Sequence, residues 1–156
     1  MSISYHRRVG FISCLLALSA CASAPTTTAP ARKTIEVAMP LTAEKAGARI
    51  QAAARAGGHM IASNEGGVIT LAPYELPDQR PPIMLTIRVN LVTTDSGTVA
   101  VIGGAWSNQA LANIQKTEPS ASAWSAQGQA EEGGRGYVGK AFKEVQRFAE
   151  SVRAAR

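Results

Sequence analysis

The chain has 156 residues, with 16 lysines and arginines against 11 acidic residues and only 5% aromatic side chains. That balance is too mild, and too poor in aromatics, for a nucleic-acid binder, which carries a dense basic face interleaved with stacking rings. Two cysteines, Cys14 and Cys21, exclude a disulfide-dense framework.

The first segment reads as a translocation signal. A basic start, His6-Arg7-Arg8, leads into the apolar run Val9–Leu18 and then into small residues. Ten residues span about 15 Å as a helix, roughly half of a bilayer core, so the run is expected to be a cleaved leader and not a membrane span. It ends in Leu18-Ser19-Ala20-Cys21, which resembles the lipobox of bacterial lipoprotein precursors. The resemblance implies that residues 1–20 are removed and that Cys21 receives diacylglycerol on sulfur. In many bacteria a further acyl chain, commonly palmitate, goes to the freed amino group. Two or more chains hold a protein to a membrane stably where one does not. The residue after the cysteine is Ala22 and not the aspartate that resembles an inner-membrane retention signal. In an organism with two membranes the expected location is therefore the periplasmic face of the outer membrane.

With Cys14 discarded and Cys21 acylated, no thiol remains for a disulfide, a nucleophile or a metal. Arg7 and Arg8 leave with the leader, so 14 of the 16 basic residues remain against 11 acidic ones, a balance of +3. Residues 21–33 are rich in proline, threonine and alanine and lack any hydrophobic period, the composition of a tether. Residues 34–156 are the size of one domain.

Thr34–Ala38 alternates like a strand that Pro40 ends. Thr42 predicts a helix cap with Glu44 in the first turn. The stripe Ala46, Ile50, Ala53 and Gly57 has helical spacing, and Gly57-Gly58 predicts the stop. His59–Ala62 and Val68–Leu71 read as strands joined by a turn over Ser63–Gly67, and Ala72–Pro82 as a proline-punctuated loop. In the next segment Ile83, Leu85, Ile87, Val89 and Leu91 point one way, with Met84, Thr86, Arg88 and Asn90 opposite. Asp95-Ser96-Gly97 then turns the chain into a returning strand from Thr98 to Trp106. Residues 106–136 read as a long loop with a short helix around Leu111 and Ile114. Val138, Phe142, Val145, Ala149 and Val152, widened by Phe148, mark an amphipathic C-terminal helix. The order β-α-β-β-β-β-α predicts a two-layer α+β domain, an antiparallel sheet of four to five strands with two helices on one face. It is similar in outline to helix-grip lipoprotein domains, a resemblance of element order alone.

Catalytic signatures are thin. Gly134-Arg135-Gly136-Tyr137-Val138-Gly139 fits a dinucleotide pattern, and Gly134–Lys140 fits the start of a P-loop. Both run into a helix, but the polar, acidic Gln127–Glu132 does not read as the strand that should precede them. Ala141 stands where a magnesium-binding hydroxyl belongs. A glycine hinge explains the cluster, and no nucleotide, metal or other cofactor is expected. After the leader His59 is the sole histidine, which excludes a histidine metal cluster. Glu131-Glu132 reads as solvated charge. No catalytic residue is assigned, and the domain is read as non-enzymatic.

Binding is the remaining chemistry. Arg135, Lys140, Lys143, Arg147, Arg153 and Arg156 put positive charge along the last helix, offset by Glu144 and Glu150. The alternatives are a solvated helix face and a docking surface, formed by Lys140, Lys143, Arg147 and Arg153, for anionic lipid head groups or an acidic partner. Trp106, Trp124 and Tyr137 are either core plugs or an exposed recognition patch. The chain is thus expected to be a non-catalytic envelope lipoprotein, an accessory or scaffold subunit with an envelope protein partner. The alternative is a carrier of a small ligand or lipid. An apolar cavity between the C-terminal helix and the long hairpin would mark the carrier, and a filled layer there the scaffold.

Overall fold

The computed structural model describes residues 31–117 and 126–155. The leader, Cys21, Trp124 and Arg156 lie outside the described residues. Within them the chain forms seven strands and three helices, a mixed α+β domain around one antiparallel sheet. The sequence predicts four to five strands and two helices. Five strands carry the main path of the sheet, and two short strands and a helix are additional.

Strand β1, Thr34–Met39, alternates as expected, with Ile35, Val37 and Met39 buried. Helix α1, Ala43–Ala56, starts where the Thr42 side chain accepts the Lys45 N–H at 3.5 Å. It stops where the Gly58 N–H donates to the Arg55 carbonyl (3.0 Å) and the His59 N–H to the Ala54 carbonyl (2.8 Å). That pair of bonds needs a left-handed residue between them, and Gly58 supplies it at φ 76°. The buried stripe is Ala46, Gly47, Ile50, Ala53 and Ala54; Gly57, expected on it, is exposed.

Strands β2, Ile61–Glu65, and β3, Val68–Leu71, meet across a turn of only two residues. Gly66 and Gly67 both have positive φ, the geometry that matches the twist of a hairpin. They do the whole job of turning, so Ser63, Asn64 and Glu65, expected in the turn, are strand residues. Strand β4, Tyr74–Glu75, interrupts the expected loop and pairs with Leu85 and Met84. Strands β5, Met84–Thr94, and β6, Gly97–Ser107, form the long hairpin, eleven residues each. Helix α2, Gln109–Thr117, is capped by Asn108, whose Oδ1 accepts the Leu111 N–H at 2.9 Å. Strand β7, Gln127–Gln129, pairs with the end of β6, and helix α3 spans Tyr137–Ala154.

The main sheet order is β1-β6-β5-β3-β2, with β4 beside β5 and β7 beside β6. Helices α1 and α3 cover one face. Between the layers Ile50, Leu85, Ile87, Ile102, Val145 and Val152 are fully buried. Helix α3 packs tightly over Gly104, where a Cβ would stand 2.6 Å from Val145 Cγ2 and 3.1 Å from Leu85 Cδ1. The layer is filled there. The two helices are also tied end to side: Arg49 of α1 donates to the α3 carbonyls of Val152 (2.9 Å) and Arg153 (2.6 Å).

Candidate functional site

The helical spacing of Lys140, Lys143 and Arg147 puts them on one side of α3, and the fold closes that side with a wall from a distant segment. Leu76, Pro77 and Asp78, which link β4 to β5, face the three cations across an open hollow of about 400 Å³ that also includes Glu144. The wall is set by β4, since the Leu76 N–H donates to the Ile83 carbonyl at 2.8 Å and fixes where the loop leaves the sheet. Glu144 is hydrogen-bonded to Arg147. Lys140 and Lys143 have no ion-pair partner among the described residues. The hollow thus offers two unpaired ammonium groups and one tethered guanidinium.

Arg153, expected in the same group, is elsewhere. At about 100° per residue it lies roughly 140° around the helix from Lys140, where its guanidinium donates to the Glu36 carbonyl of β1 at 3.3 Å. It fastens the end of α3 to an edge strand. Arg135 is exposed ahead of the helix.

Behind the hollow, Tyr74 packs its ring 4.8 Å from that of His59, which in turn lies 5.8 Å from Phe148. Burial and the nearby Glu144 charge push the Tyr74 hydroxyl up to about 12, with Arg147 opposing. Its oxygen is buried with no hydrogen-bond partner among the described residues. His59 is a packing residue between α1 and β2, outside the strand expected for it.

The glycine cluster is used by the fold itself. A short strand, β7, does precede it, contrary to expectation, but it runs antiparallel to β6 and is separated from α3 by a turn. A Cβ at Gly139 would stand 2.1 Å from the Gly134 carbonyl oxygen, and one at Gly134 would meet Val138 at 2.6 Å. The turn is folded on itself, and Lys140 lines the hollow beside Leu76–Asp78. Glu131 and Glu132 stay solvent-accessible, as expected, and also pair with Lys33 (3.0 Å) and Arg32 (3.5 Å). Among the described residues no three metal-ligating side chains gather, and no helix is long and apolar enough to cross a membrane.

Two of the three aromatics are core plugs. Trp106 is 5% exposed, donates its indole N–H to the Gln129 carbonyl at 3.0 Å and meets Tyr137 edge-on at 4.7 Å. The uncovered face of the sheet holds a second surface, overlooked in the sequence. It is a trough of about 640 Å³ whose lining includes Thr34, Thr70, Thr86, Arg88, Asn90 and Gln129. Its advance signal is the polar face of β5, Thr86, Arg88 and Asn90, opposite the buried one.

Fold and surface together define a mixed α+β domain around one antiparallel sheet, with polar hollows on its outside. The chain matches no protein-family model, and no curated protein is significantly similar to it.

Proposed function

We propose that the protein is a bacterial envelope lipoprotein, held to its membrane by diacylglycerol on Cys21, with a non-catalytic domain that acts as an accessory or interaction subunit. The lipobox Leu18-Ser19-Ala20-Cys21 supports the anchor. One observation carries the choice between subunit and carrier. A carrier with its ligand between sheet and helices needs room under α3, and at Gly104 there is not room for a methyl group. Its recognition groups lie on the outside, in the basic hollow and the polar trough.

The test is the mass of the detergent-extracted chain, measured denatured and under native conditions. The denatured mass should be that of a chain beginning at Cys21 plus acyl groups, and Cys21→Ser should abolish the acyl mass. The native mass should add no stoichiometric small molecule. A chain recovered from the soluble fraction without acyl mass refutes the anchor, and a co-extracted ligand at one per chain refutes the subunit in favour of the carrier.

A further inference from the structure

The place where the chain from Cys21 joins the domain is fixed. Lys33 and Arg32 pair with Glu131 and Glu132, and the Glu132 N–H donates to the Arg32 carbonyl at 2.8 Å. From there to α3 the chain has no slack, since the Gly134 N–H donates to the Glu131 carbonyl at 3.1 Å and Gly139 lies against the Gly134 oxygen. The tether therefore leaves the domain within one tight turn of Lys140, at the end of the domain that carries the basic hollow.

That end is electropositive for a second reason. The N-terminus of a helix carries about half a positive charge from its unpaired N–H groups. The first turn of α3 contains Lys140 and no acidic residue, and Gly136 before it has no side chain to cap the first-turn amides, of which the Val138 N–H is taken up by the Arg135 carbonyl at 3.3 Å. With Lys143 and Arg147 alongside, the hollow holds three exposed cations against two carboxylates, Asp78 and the Arg147-paired Glu144, a net positive charge where the membrane-bound tether begins. The chemistry that suits them is a phosphate-bearing anion.

We propose that Lys140, Lys143 and Arg147 seat on the anionic lipid head groups of the membrane to which the chain is anchored, so that the domain rests with the start of α3 against the bilayer. This rests on the lipoprotein reading and goes beyond it, since an anchored domain on a free tether need not touch the surface.

The test uses the intact lipidated protein in vesicles of phosphatidylcholine, with and without added phosphatidylglycerol, and reads amine acylation of single lysines by mass spectrometry. Lys45, exposed on α1, is the internal control. Each basic group near an anionic surface gains about a five-fold preference for it. Lys140 and Lys143 should accordingly label about five-fold more slowly, or slower still, in phosphatidylglycerol vesicles at low salt. High salt should restore their rate, and Lys45 should not change. Equal labelling in both vesicles overturns the proposal, as does equal slowing of Lys45. Slowing by inorganic phosphate in neutral vesicles overturns it in favour of a small-anion site. Protection found only in native envelopes overturns it in favour of an acidic protein partner. Failure of the anchor is a separate result, because an unacylated chain would not incorporate into neutral vesicles.

Discussion

Gly104→Ala tests the filled layer directly. Gly104 pairs with Ile87 in the middle of the β5–β6 hairpin, under Val145 of α3. On conformational grounds alone alanine should help, by about 0.5–1 kcal/mol, because glycine loses more freedom on entering a strand. Packing opposes this. The new methyl would stand 2.6 Å from Val145 Cγ2, 3.1 Å from Leu85 Cδ1 and 3.4 Å from Ala130 Cβ. Val145 is β-branched and cannot swing away at little cost, and overpacking of this kind costs about 1–3 kcal/mol. The net expectation is a loss of about 1–2 kcal/mol, a fall of several degrees in thermal midpoint for a domain of this size. Val145→Ala alone should also destabilise, by leaving a cavity. The double variant should be more stable than the two losses added together, with a coupling of about 1 kcal/mol or more, since the alanine at 104 then fills the space vacated at 145. Circular-dichroism melts of the four proteins close the cycle. A Gly104→Ala chain as stable as the parent, or an additive cycle, would mean that the layer has slack, and the carrier reading would regain its ground.

Two further outcomes follow from contacts made by single side chains. Arg49→Met should cost about 1–3 kcal/mol and speed amide exchange in the last turn of α3, because the Val152 and Arg153 carbonyls lose a charged donor. Arg49→Lys should recover only part of this, since one ammonium lacks the planar fork that spans both oxygens. Tyr74 binds its proton more tightly in the folded protein than in the unfolded chain, about 12 against 10.0. Its contribution is therefore complete below pH 10 and is lost as the pH rises through 12. Tyr74→Phe also removes a buried, unpaired hydroxyl. It should leave stability unchanged or raised below pH 10 and flatten the decline between pH 10 and 12, as read by denaturant midpoints at each pH.

What was legible in the sequence is what a single element decides for itself. The β5 alternation needs only one buried face, and Ile83, Leu85, Ile87 and Val89 are all 2% exposed or less. The α3 stripe, the Thr42 cap and the glycine stop of α1 are equally local. The missed elements are those that a partner creates. Strand β4 is two residues long between Pro73 and Pro77, and nothing marks it except the β5 backbone it pairs with. Strand β7 is Gln127-Gly128-Gln129, without an apolar residue. Its glycine is required because a Cβ there would come within 2.8 Å of Trp106 Cζ2, a contact between segments far apart in sequence. The hollow divides in the same way. The spacing of Lys140, Lys143 and Arg147 is visible in the helix, but its other wall, Leu76–Asp78, is more than sixty residues away. Grouping Arg153 with them by charge alone ignored its angle on the helix and the β1 carbonyl waiting there.

The two ends of α3 use charge in opposite senses, and the difference separates stability from function. At the C-terminal end, where the unpaired carbonyls make the helix negative, Arg153 stands in the last turn and Arg49 donates to the final carbonyls. Both arrangements complement the dipole and need no explanation beyond folding. At the N-terminal end folding alone asks for an acidic residue or a hydroxyl cap, as Glu44 and Thr42 provide for α1. Here Gly136 is kept by its backbone, at φ 58°, but α3 has Lys140 in its first turn and no acidic residue, which costs a few tenths of a kcal/mol. Charge kept where the fold disfavours it, beside the point where the tether leaves, is what an anionic surface outside the domain would account for.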